Sequence, residues 1–168
     1  MTKTLIGQRV LRNEDARLLT GVAQFVDDVE IPGLLHAAFL RSDHAHARLV
    51  GLDVSAARQR PGVIAVFTAE DMGADWAPGP PLVSPPPTAK DVTFHSRRQV
   101  PLVKDKIRHA GEALAVVIAE NRYIAEDAVE DILVDLEPLE AVVDLEDAMR
   151  PGSPRVHDDL ESNLAAHL

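Results

Sequence analysis

Ser42-Asp43-His44-Ala45-His46 is the densest run of chemically able side chains in the chain, with His36 a few residues upstream. In an extended strand, His-x-His sends both imidazoles to one face, which suits a metal ion, and Asp43 could be a third ligand or orient one ring. A zinc centre needs three or four placed ligands, and His95, His109, His157 and His167 stand at no spacing that supplies the others. Ser42, Asp43 and His44 also spell a hydrolytic triad, but triad partners converge in space rather than along a sequence. The expectation is structural: His44 or His46 is hydrogen-bonded within a turn. No catalytic, cofactor-binding or metal-ligating residue is assigned.

Two other acidic positions invite the same question. Asp27-Asp28 could serve acid–base chemistry or hold a divalent cation, yet adjacent strand residues point oppositely and Asp favours turns by bonding its own backbone. Turn formation is expected there. Gly111-Glu112 precedes an apolar run, and a strand-initiating turn explains it. The nine glycines are dispersed, with neither the dinucleotide-binding nor the P-loop spacing. The absence of cysteine removes disulfides, iron–sulfur ligation and thiolate zinc sites from this chain.

The elements that carry these residues follow from capping and periodicity. Asn13 is placed to cap a helix over Glu14 to Leu19 that ends at Gly21, and Val22 to Val26 reads as a strand before a turn through Pro32-Gly33. Leu34 to Leu40, Arg48 to Val54 and Val63 to Phe67 read as strands, with Ser55 to Arg60 as a helical turn between the last two. Thr68 is placed to cap a helix starting at Ala69. Seven of the twelve prolines fall between Pro78 and Pro101, a density that no regular helix or central strand tolerates, so an irregular loop is expected. Leu114 to Ala119 reads as a buried strand. Asn121 then caps a helix whose Ile124, Ala125, Ala128, Val129 and Ile132 recur at helical spacing. Val134 to Leu136 and Leu139 to Val143 read as strand segments, Leu145 to Met149 as a short helix, and the polar stretch from Ser153 as a tail that needs a partner for order. The sum is an α+β domain over 1–150, holding the Pro-rich loop at 78–101, and a tail over 151–168.

At 168 residues, with 46% hydrophobic and 26% charged residues, the chain is globular in composition and one domain in size. Its longest apolar run, Ala113 to Ala119, is far short of the ~20 residues a membrane-crossing helix needs. A cytoplasmic location is the default. The net charge of -10 is concentrated: twelve acids but only Arg122 and Arg150 as bases lie between Glu112 and Arg150. The basic stretch from His95 to His109 reads as solvated surface, because six aromatic residues in all are too few for nucleic-acid stacking platforms.

Eight segments occur in a familiar order: GQRV (Gly7 to Val10), RNEDARLLTG (Arg12 to Gly21), FVDD (Phe25 to Asp28), PGLLHAAFL (Pro32 to Leu40), RSDHAHARL (Arg41 to Leu49), PGVIAVFTAEDM (Pro61 to Met72), GEALAVVIAE (Gly111 to Glu120) and VDLEPLEAVV (Val134 to Val143). Together they resemble the start of molybdenum hydroxylase large subunits, the xanthine dehydrogenase and aldehyde oxidase family with its aerobic carbon monoxide dehydrogenase branch. The resemblance implies an α/β hammerhead domain that is structural and not catalytic alone. It further implies partners bearing molybdopterin cytosine dinucleotide, iron–sulfur clusters and FAD, with the catalytic and molybdenum-binding segments downstream. Asp43 replaces the usual proline of the family's RSPHAHA motif, His109 a common tyrosine, Ala113 a common proline and Leu136 a common tyrosine. The alternatives are a free-standing binding or regulatory module that reuses the fold, and an independent metal-dependent enzyme built on His44 and His46.

Overall fold

The computed structural model describes residues 6–77, 93–95 and 99–167, in two compact units, Met1–Leu34 and Leu35–Leu168. The expected Pro-rich loop therefore lies largely outside the described residues.

In the first unit, helix α1 (Asp15–Leu19) buries none of its residues. It begins after Glu14 without a side-chain cap, so Asn13 does not take the capping role its type suggested. Thr20 closes the helix by donating its hydroxyl to Ala16 O at 2.7 Å. The expected strand at Val22 to Val26 does not form: these residues find no partner strand, and a 3-10 turn takes over at Val26–Asp28. A strand gains its stability from pairing, so β-forming composition alone cannot hold one.

The second unit is the α+β body. Strand β1 (His36–Arg41) opens it, followed by β2 (Ala47–Asp53), helix α2 (Ser55–Gln59) and β3 (Val63–Thr68). Short strands β4 (Thr93–Phe94) and β5 (Lys106–Ile107) precede the central β6 (Ala113–Ala119), and helix α3 (Arg122–Glu130) leads to β7 (Leu133–Pro138). Helix α4 (Leu145–Ala148) and β8 (Ala166–His167) end it. Two three-stranded sheets result, ordered β1-β6-β3 and β5-β2-β7, with antiparallel pairing throughout, and β4 pairs with β8.

The first sheet carries the larger core. Ala115 and Val117 of β6 pack with Val54, Ala57, Val66, Ala128 and Ile132, so one sheet face is closed by α2 and α3. The small residues Ala57, Ala115 and Ala128 let backbone approach backbone. At the turn before β3, Gly62 has φ +86°, and a Cβ there would stand 2.6 Å from Ile124 Cδ1, so only glycine lets the turn sit against α3 without strain. Asn121 caps α3 as its sequence indicates, accepting from Ile124 N at 3.0 Å.

A β-bulge joins the two cores. Leu40 pairs with Ala115 but Arg41 with Ala113, so Leu114 is the extra residue. The bulge turns Leu114 into a second cluster with Ala47, Val103 and Ile107 from beneath the β2 sheet.

Several local expectations give way to tertiary bonds. Thr68 starts no helix; instead Asp71 Oδ2 accepts from Thr68 N and Thr68 Oγ1, each at 2.8 Å, and closes a turn. Residues 139–143 are not a strand, because β7 ends at Pro138. Lys106, counted with the solvated bases, is 5% exposed and donates to Asp158 Oδ1 at 2.8 Å. The stretch from Ser153, expected to need a partner for order, is organised by Asn163: its Nδ2 donates to Pro154 O and Ala148 O, and its Oδ1 accepts from Val156 N.

Candidate functional site

The Ser42 to His46 run leaves the end of β1 and enters β2, and its groups are used within the loop. Ser42, 5% exposed, accepts from His44 N at 3.0 Å and donates its hydroxyl to His44 O at 3.1 Å. That hydroxyl does not engage the His44 ring. The ring instead places Nδ1 2.6 Å from Asp43 Oδ1, and this bond, with the electrostatic pull of His44 second, holds Asp43 below the usual carboxylate range. Ser42, His44 and Asp43 therefore form no Ser–His–Asp relay.

His46 points elsewhere. Its Nδ1 lies 2.6 Å from Glu140 O and must donate there, since a carbonyl can only accept, which leaves Nε2 enclosed without a partner. The two imidazoles thus serve different neighbours, one in the loop and one tying β2 to the segment after β7. Among the described residues no group of three His, Asp or Glu side chains is placed to hold a metal ion.

Glu112 is the buried acid of the site. It is 8% exposed, and its Oε2 accepts from Arg108 N at 2.6 Å, with His109 Nδ1 3.9 Å away. The same loop is stitched to the Ser42 backbone: Ser42 N donates to Glu112 O, Gly111 N donates to Ser42 O, and Arg41 Nη1 donates to Gly111 O. The RSDHAH and GEAL segments, far apart in sequence, form one brace at the end of the β1–β6 pair. Asp28 has a comparable local duty in the first unit, accepting from Phe25 N at 2.9 Å. Ser42's hydroxyl, one oxygen of Glu112's carboxylate and His46 Nδ1 are thus all engaged within the protein.

Sequence reading missed the carboxylates with the most partners. Asp71 takes both Thr68 bonds and two contacts from Arg58 Nη2, at 2.7 and 2.8 Å, while Arg58 also donates to Val66 O. Burial opposes its ionisation, but the bonds from Thr68 and Arg58 and the Arg58 charge outweigh this and hold its acidity below the ordinary value. The Thr68-x-x-Asp71 spacing was the available signal. Asp158 is lowered too, first by its bond from Lys106.

A folded-state pKa below the unfolded value of about 3.9 means that the native state binds fewer protons, so these groups stabilise fully above that value and lose the contribution as pH falls through their lowered pKa. Urea midpoints measured from pH 7 down to pH 3 are expected to fall in the acid limb, and Asp71→Asn to flatten that fall. An unchanged acid limb in Asp71→Asn would remove Asp71 from the account.

Residues 20–140 match the family described as aldehyde oxidase and xanthine dehydrogenase, a/b hammerhead domain. The nicotine 6-hydroxylase large subunit of Paenarthrobacter nicotinovorans is 40% identical over 164 residues, 98% of this chain and 19% of that protein. The carbon monoxide dehydrogenase large chain of Afipia carboxidovorans is 38% identical over 95% of this chain and 18% of its own length. Among solved structures, quinoline 2-oxidoreductase from Pseudomonas putida 86 superimposes with a TM-score of 0.81 at 40% identity, covering 98% of this chain and 20% of that one. The chain spans about a fifth of the length of these relatives.

Proposed function

We propose, on the ground that this chain belongs to the aldehyde oxidase and xanthine dehydrogenase family as its a/b hammerhead domain, that it is the structural hammerhead portion of a molybdenum hydroxylase large subunit. Alone it carries no chemistry. It packs against a molybdopterin-binding remainder and against iron–sulfur and FAD parts, in the cytoplasm, and the oxidation of substrate takes place in those parts. The observation that carries this reading is coverage: nearly all of this chain aligns, without a break in order, to about a fifth of relatives that are named as large subunits of oxidising enzymes. One relative is named as a large molybdopterin subunit, and one solved neighbour as a Cu,Mo-CO dehydrogenase.

Surface chemistry supports an assembly role. In the first unit Leu19 and Val26 are 87% and 88% exposed, and Leu11, Val22 and Phe25 lie open as well. Leaving that much apolar area in water forgoes the roughly 25 cal/mol per Å² that its burial would contribute. Purification from the native host is expected to bring the chain out with molybdenum-containing polypeptide, and the chain alone is expected to show no hydroxylase turnover. Recovery of the chain by itself, with no molybdenum in any accompanying polypeptide, sinks the reading.

A further inference from the structure

Residues directly opposite one another in antiparallel strands point to the same face of a sheet, and successive residues alternate between faces. In the β1-β6-β3 sheet, Val117 lies opposite Ala38 and Val66, and both valines belong to the core closed by α2 and α3. The adjacent rows therefore face away from that core. One is Phe39–Val116–Phe67, and the next is Ala37–Ile118–Ala65. All six positions are apolar, and Phe39 and Phe67 are 47% and 44% exposed. An antiparallel sheet with one face on a core commonly turns polar residues to water on the other. This sheet keeps a second apolar face, which accounts for the uninterrupted apolar run of β6.

We propose that this face packs on the same face of a second copy of the chain, in a two-fold, sheet-on-sheet dimer. The two rows select that occupant because they complement each other in size. A two-fold axis between the sheets, running across the strands, sets the row with two phenyl rings over the row with two alanines, and the reverse. Bulk then meets space in both directions. Charge agrees with the same arrangement. Arg41, whose guanidinium carbon stands 5.3 Å from the centroid of the Phe39 ring, marks one end of the face, and Glu120, directly after β6, marks the other. The axis brings each Arg41 to the end of the other copy that bears Glu120. A face three strands wide falls short of the roughly 800 Å² per partner of a standard interface, so the dimer is a weak one that dissociates in the micromolar range. It uses only the second unit and does not depend on the assembly reading above.

Sedimentation velocity on the full chain, from low-micromolar to submillimolar concentration, is expected to show monomer passing to dimer. Phe39→Thr combined with Phe67→Thr keeps strand-forming residues at half-exposed positions and is expected to weaken the dimer at least about tenfold. Ala37→Lys, at an exposed position, is expected to do the same by setting a charge against Phe39 of the other copy, so the test stands even if the double variant does not fold. Arg41→Glu is expected to weaken the dimer, and Arg41→Glu with Glu120→Arg to restore it. A chain that stays monomeric throughout, association that runs past the dimer, or a dimer that the Phe39, Phe67 and Ala37 substitutions leave intact overturns the proposal. A dimer lost instead in Leu19→Ser with Val26→Ser overturns it too, since the contact then lies in the first unit.

Discussion

Replacing Leu114 with alanine is expected to lower the unfolding free energy by about 3 kcal/mol, near the low end of the cost for a buried leucine. Leu114 is 1% exposed and is the only residue of β6 that the bulge diverts into the second cluster, where it meets Ala47, Val103 and Ile107. None of those three is larger than isoleucine, and each is anchored in a different stretch, so no neighbour can swing in to refill the void. Leu114 also lines a cleft of about 570 Å³, whose open side lets water reach the widened space, and this keeps the value near the low end. In thermal unfolding the change corresponds to roughly 10 °C for a domain of this size. Val50→Ala is the matched control: Val50 is 60% exposed at the bulge of β2, and its loss is expected to stay within about 0.5 kcal/mol. If Leu114→Ala unfolds at the same denaturant concentration as Val50→Ala, the bulge does not join the two cores energetically.

The difference between what the residues announced and what they concealed follows the range of the forces involved. Helix α3 was legible because its cap, Asn121, and its apolar stripe lie within a dozen residues of each other. β6 was legible because an uninterrupted apolar run has few other uses. The unformed strand at Val22 to Val26 has the same kind of composition, but a strand exists only where a second strand meets it, and that is a tertiary fact. Thr68 and Asp71 exchanged roles for a related reason. The Thr-x-x-Asp spacing fits a helix start or a closed turn, and Arg58, thirteen residues away, decides for the turn by clamping the carboxylate. His46 and Glu140 are 94 residues apart, and no local pattern links them. The expectation of a structural role for His44 or His46 rested on the lack of further ligands at a supporting spacing, and spacing alone carries no information about which backbone or side chain each ring meets. The family resemblance carried further than any of these local readings, since eight ordered segments constrain a fold even where single residues are ambiguous.

Removing Asp158 is expected to cost more than removing the lysine it pairs with. Lys106 has a side chain only 6% exposed, and its ammonium reaches Asp158 Oδ1 at 2.8 Å and Arg155 O at 3.2 Å, while the Asp158 side chain is 70% exposed. In Asp158→Ala the ammonium stays enclosed with a single carbonyl for company. Stranding a buried charge costs about 3–5 kcal/mol, and the solvent reaching the Asp158 side brings the expected loss to about 2 kcal/mol. Lys106→Met removes the charge with the stem volume kept and leaves Asp158 in water, so the expected change is within about 1 kcal/mol. The two variants also part in what they do to the chain after Ser153. Asn163 still gathers Pro154, Ala148 and Val156 in both, but only Asp158→Ala leaves a charge that drives the segment to open so that water can reach it. Limited proteolysis is expected to cut between 153 and 165 sooner in Asp158→Ala than in Lys106→Met. Equal loss of stability in the two variants, with equal cutting, would mean that the pair acts as a surface contact and that the burial of Lys106 has no energetic consequence.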